Sequence, residues 1–202
     1  ANIEIATKTD HPGIDIHIAP GTKGETVFIP VIVTESGLKD VVYNTFYIGE
    51  DADVRIIAGC GIHNDGHAAA EHDGIHTFYC GARSKVVYVE KHYGEGDGAG
   101  ERILNPTTNV VMDEGAVCEM ELTQLGGVTS TIRDTDATLG PDARLVLTEK
   151  LMTHGRQTAE SNMKVQLTGE GSSVQVISRS VAKDDSIQVF NPLVIGETAC
   201  RG

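Results

Sequence analysis

One short pattern recurs along this chain: a small residue followed by apolar side chains at every second position. It reads Ala52-Asp-Val-Arg-Ile56, Ser84-Lys-Val-Val-Tyr88, Ala116-Val-Cys-Glu-Met120, Ala143-Arg-Leu-Val-Leu147 and Ser172-Ser-Val-Gln-Val176, at spacings of 32, 32, 27 and 29 residues. Alternation at period two marks each copy as a strand with one buried face, because successive side chains point to opposite sides. Ahead of most copies lies a second short apolar strand, at Thr45–Ile48, His76–Tyr79, Val110–Met112 and Met163–Leu167. The two are joined by corners reading GEDA, CGARS, DEGA and TGEGS. No stretch carries a capped helical stripe, so little helix is expected.

A period near 30 residues is too short for a propeller blade of about 40–45, but it suits one coil of a solenoid, in which like positions stack on like. A β-sandwich or jelly roll also alternates, yet has no reason to hold a small residue in register five times. The expected fold is all-β: a parallel β-helix, built as a single-stranded solenoid, over residues 1–202 as one domain. Two longer segments, Gly59–Gly74 and Lys91–Arg102, break the rhythm and read as corner loops. Gly94, Gly96, Gly98 and Gly100 are expected to make the second one flexible.

Composition narrows the chemistry. A net charge of −13 over 202 residues repels phosphate backbones and argues against nucleic acid as a partner. No apolar run approaches the roughly 18 residues of a membrane span. The four cysteines, Cys60, Cys80, Cys118 and Cys200, form no CxxC pair and follow no hydrophobic leader, which points to a reducing, cytoplasmic setting. The chain opens at Ala1 and stops at Arg201-Gly202 just after an apolar run and a cysteine, so a C-terminally shortened fragment of a longer chain is expected.

Four of the eight histidines, His63, His67, His72 and His76, fall between Cys60 and Cys80, with Asp65, Glu71 and Asp73 among them. Imidazole and thiolate together suit zinc or iron. The same histidines also suit solvated turns at a coil edge, and both readings stand. Recognisable enzyme motifs are missing: there is no G-x-S-x-G, HExxH or phosphate-cradling loop, and GEGDGAG precedes no helix. Glu119 and Glu121 read as a solvated sheet face, and Arg133, Arg144, Arg156 and Arg179 as neutralising partners for carboxylates stacked between coils. Cys118 fills an apolar slot and is expected to be buried. Cys80 ends a strand at a corner beside Arg83 and Lys85, where positive charge would favour thiolate, so it leads the candidates for nucleophile or ligand.

The blocks GCGIHN, HDGIHTF, YVEKHYGEG, LGGVTSTIRDTDATLG, SRSVAKDDSIQVF and NPLVIGETACRG, in that order, resemble the SufB/SufD family of iron-sulfur cluster assembly proteins, in the compact form of archaea and anaerobic bacteria. The resemblance covers nearly all of the chain and implies a right-handed parallel β-helix. It implies a scaffold rather than an enzyme, on which a transient iron-sulfur cluster is built from iron and persulfide sulfur. The implied partners are a SufC-like ABC-type ATPase, docked through a C-terminal region absent from this chain, and a second copy or a SufB/SufD paralogue. Cys80 falls near the position of a functional cysteine in the family. With Cys200 and Cys60 it makes up the expected sulfur and cluster ligands, and His63, His67, His72 and His76 are the iron candidates. Two other classes remain: a metal-dependent solenoid enzyme using the His63–His76 segment, and a purely structural solenoid that pairs through its edges.

Overall fold

The computed structural model describes residues 1–202 and contains no helix; 66% of the chain is strand, wound into about six turns of a β-solenoid. After β1 (Ile3–Thr7), β2 (Gly13–Ile18) and β3 (Lys23–Val33), the coils run β4 (Lys39–Ile48) to β5 (Asp53–His63) and β6 (Ala70–Cys80) to β7 (Lys85–Glu95). Next come β8 (Arg102–Leu104), β9 (Thr107–Met112) and β10 (Val117–Gln124), then β11 (Ser130–Leu139) and β12 (Arg144–Thr153). The last are β13 (Thr158–Leu167), β14 (Ser173–Ala182) and β15 (Ile187–Gly196). One sheet orders β1-β2-β4-β6-β8-β11-β13-β15, with β9 also between β6 and β11, and the other orders β3-β5-β7-β10-β12-β14. Every pairing is parallel except β1 with β2, so the sandwich alternative falls.

The small residue of the repeat has a definite place. Ala52, Ser84, Ala116, Ala143 and Ser172 are fully buried, and each donates its N–H to the carbonyl three residues back, closing a tight turn between the sheets. The residue before each is left-handed: Asp51, Arg83, Gly115, Asp142 and Gly171 have φ between 55° and 73°. A turn with its third residue at positive φ accounts for the Gly and Asp seen at these corners.

Residues 32 apart lie side by side in neighbouring strands. Phe46 therefore stacks on Phe78 with ring centroids 4.5 Å apart and planes 5° from parallel. Val110, Ala137 and Val165 continue that row through the core.

Both expected loops are shorter than the sequence suggests. Residues Gly59–His63 belong to β5, and β6 is already under way at Ala70, which leaves only residues 64–69 outside strands. Likewise β7 runs on to Glu95. The glycines of the following turn permit close packing. A Cβ on Gly98 would lie 2.3 Å from the Gly66 carbonyl oxygen, and one on Gly100 would lie 2.1 Å from that of Ala68. Without side chains the two turns lie directly on one another, joined by bonds from Gly98 N to Asn64 O and from Gly100 N to Gly66 O. The wholly buried Asn64 side chain ties this stack together, donating to Ala68 O and Glu101 O.

Candidate functional site

The interior is not apolar throughout. Between the main hydrophobic cluster and a smaller one formed by Val33, Cys60, Ile62, Ala70, Leu104 and Val128, the inward positions carry polar side chains. His72 and His76 on β6, Glu90 and His92 on β7, Arg133 on β11 and Glu149 on β12 are all buried. They follow the inward alternation of the core: Glu90 and His92 continue the parity of Val86 and Tyr88 along β7. The register then makes neighbours. Cys60 lies beside His92, Asp40 beside His72 and Asn44 beside His76.

The densest convergence joins three residues. Cys60 Sγ, a carboxylate oxygen of Glu90 and a ring nitrogen of His92 all lie within 4.8 Å of one another. Arg133 Nη1 donates to Glu90 Oε2 at 2.7 Å, and Arg133 Nη2 donates to His92 Nδ1 at 3.3 Å. Tyr88 donates its hydroxyl to Glu90 Oε1 at 2.8 Å. Glu149 lies 3.8 Å from Arg133 Nε and accepts from Ser161 Oγ.

Burial drives the Glu90 carboxyl toward its neutral form, but His92 and Arg133 together overcome that and hold it well below the usual carboxylate range. Burial, reinforced by the Glu90 charge, pushes the Cys60 thiol up. Burial also lowers His76 to about 4, against the opposing pull of Glu90. The chamber therefore holds a carboxylate, a guanidinium and a protonated thiol out of water. Such an arrangement persists only because each charge is paired.

The sequence candidates are scattered by the fold. His63 is half-exposed between Asp65 and Glu95, at 2.8 and 3.3 Å, and those carboxylates raise its pKa. His67 is exposed on the turn and joins neither. His72 and His76 point into the chamber, so the four histidines do not converge as a loop cluster. Cys80 shares the inward parity of Phe78 and lies buried in the hydrophobic core. The neighbouring Cys118 thiol is pushed well up, first by its interaction with Cys80 and then by burial. The charge expected beside Cys80 is turned away: Arg83 is half-exposed and pairs with Glu50 and Asp51 on the preceding corner, and Lys85 is exposed. Cys200 packs at the far end of the core beside Gly196, and neither it nor Cys80 joins a group of three ligand-type side chains.

Glu90 and His92 escaped the sequence reading; Arg133, expected to neutralise carboxylates stacked between coils, pairs with Glu90 and Glu149 from an inward, buried position. The signal was present. His92 follows Cys60, and Glu90 follows Ala58, by the same 32 residues that separate Ala52 from Ser84.

Comparison with known proteins places the chain as a whole. The family model for the SUF system FeS cluster assembly, SufBD core domain, matches residues 32–201. An iron-sulfur cluster assembly SufBD family protein of Archaeoglobus fulgidus is 24% identical over 204 residues, covering 98% of this chain and 54% of the relative. Two relatives from Methanothermobacter thermautotrophicus strains, carrying the same family description, are 24% and 23% identical over 181 residues, covering 85% of this chain and 43% of each relative. The chain thus spans about half the length of the curated relatives it matches.

Proposed function

Since the chain belongs to the SufBD core-domain family of iron-sulfur cluster assembly, we propose that its solenoid is an assembly scaffold whose interior group Cys60, Glu90 and His92 takes up iron and sulfur as cargo. The observation that carries this reading is the convergence of a thiol, a carboxylate and an imidazole within 4.8 Å, beside a buried arginine. Iron-sulfur clusters are held chiefly by thiolate, and imidazole and carboxylate complete iron coordination in many sites. Because burial keeps Cys60 protonated, binding iron there releases a proton, so uptake strengthens as pH rises. Both present partners of His92, Arg133 and Glu90, compete for its ring nitrogens, and loading displaces one of them.

On this reading the chain acts as a scaffold rather than a catalyst. A SufC-type ATPase and a second SufB/SufD-type chain are its proposed partners, and the energy that opens a closed interior to cargo comes from that ATPase. Anaerobic reconstitution with ferrous iron and sulfide tests the site. The expected result is a visible charge-transfer band and acid-labile sulfide in the wild type, with both strongly reduced in Cys60→Ser and Glu90→Gln. Undiminished cluster in Cys60→Ser, with loss in Cys80→Ala or Cys200→Ala, would move the site to those cysteines.

A further inference from the structure

A second arrangement in the chamber uses none of the ligand atoms of the Cys60 group, although the Tyr88 hydroxyl links His76 to Glu90. His72 and His76 project inward from β6 on either side of Gly74. A Cβ placed on that glycine would lie 3.4 Å from His72 Nε2 and 3.3 Å from His76 Nε2, so both rings lean over the space its missing side chain leaves.

The surrounding hydrogen bonds determine where the protons sit. His72 Nδ1 donates to Asp40 Oδ2 at 2.7 Å, a carboxylate oxygen that can only accept. Tyr88 gives its hydroxyl proton to Glu90, so its oxygen accepts from His76 Nδ1 at 2.7 Å. Each ring is left with its lone pair at Nε2, aimed at the space over Gly74. His72 is 2% exposed, and its Nε2 has no hydrogen-bond partner. His76 Nε2 has only the Asn44 amide, at 3.4 Å.

An unmet buried acceptor is a cost of about 1–3 kcal/mol that native interiors seldom leave in place. Two inward lone pairs call for an electrophile between them. Imidazoles whose far nitrogen donates to a carboxylate or a hydroxyl are the usual form of metal-ligating histidine, oriented and made more basic by that second contact. The Asn44 amide is fixed with its NH2 toward His76, because its oxygen accepts the Ile14 N–H at 3.3 Å.

We propose that His72 and His76, across Gly74, form a two-imidazole site for a divalent first-row transition ion, separate from the thiolate site at Cys60. Imidazole donors without thiolate suit iron(II), cobalt(II) or zinc. Asp40 is a positioning residue that acts through His72.

Cobalt(II), added to the full chain without sulfide, tests this directly. In a Cys60→Ser background, which removes the thiolate site, a single cobalt is expected to bind with ligand-field bands and no thiolate charge-transfer band. Adding His72→Gln abolishes that binding. Adding Gly74→Ala, which keeps both histidines but puts a methyl group between them, weakens it. Adding Asp40→Asn lowers affinity by about 10–100-fold. Circular dichroism on each variant verifies that the solenoid is intact. Folded Cys60→Ser protein that binds no cobalt, or undiminished binding with His72→Gln added, would overturn the proposal and leave an ordered water between the two histidines.

Discussion

Replacing Arg133 with Met tests whether the polar chamber is held as described. Arg133 is 5% exposed, and it is the strong cationic partner of Glu90. Without it, Glu90 retains the Tyr88 hydroxyl and the His92 ring as buried neighbours, and Glu149 retains Ser161. Stranding a buried carboxylate in this way costs about 3–5 kcal/mol. The Ser161 bond softens the loss at Glu149, so about 4 kcal/mol is expected. The double variant Arg133→Met/Glu90→Gln leaves only Glu149 without its cation, still held by Ser161, and is expected to recover at least half of that loss. Urea unfolding of the wild type, both single variants and the double variant closes the cycle, with a coupling energy above about 2 kcal/mol expected between the two sites. A cost below about 1 kcal/mol for Arg133→Met, with no coupling to Glu90, would show that the pair is solvated and the chamber is not closed.

Three further outcomes follow from the same packing. His76 titrates at about 4 when folded and near 6.5 when unfolded, so the unfolded chain binds the extra proton first. Its stabilising contribution is present above about pH 6.5 and is lost as pH falls through 4, a change of about 3 kcal/mol; denaturant midpoints between pH 7 and 4 should show it, with a shallower slope in His76→Gln. Gly98→Val forces a side chain against the Gly66 carbonyl and is expected to cost about 1–3 kcal/mol by overpacking, read as a lower melting temperature; an unchanged melt would mean that the two turns do not lie in contact. Phe78→Ala removes the middle of the Phe46 and Tyr88 ring stack and should cost about 3–5 kcal/mol, again by denaturant unfolding.

The solenoid was legible because its corner repeats with little variation: a left-handed residue, then a small buried one, then alternating apolar positions, at intervals the eye can count. Glycine misled in both segments taken for loops. At Gly59 and Gly61 it lies within a strand, where Gly61 leaves room for the Tyr93 ring, and in the second segment it permits contact between turns. The candidate site was hidden for a different reason. Glu90, His92 and Arg133 occupy inward positions that the alternation assigns to apolar residues, so the pattern by itself did not bring them together. A chamber that breaks the local pattern is where function is expected to lie. Cys80 shows the reverse case: its parity with Phe78 already placed it inward, and proximity in sequence to Arg83 outweighed that sign until the corner geometry turned the guanidinium toward Asp51.

The central claim is that iron cargo is held inside the solenoid at Cys60, Glu90 and His92. Anomalous diffraction at the iron edge from crystals of anaerobically loaded protein addresses it most directly. The account predicts an iron peak between β5 and β7 in contact with the Cys60 sulfur, absent from Cys60→Ser crystals. Iron found only at Cys80, at Cys200 or on the outer surface would contradict it.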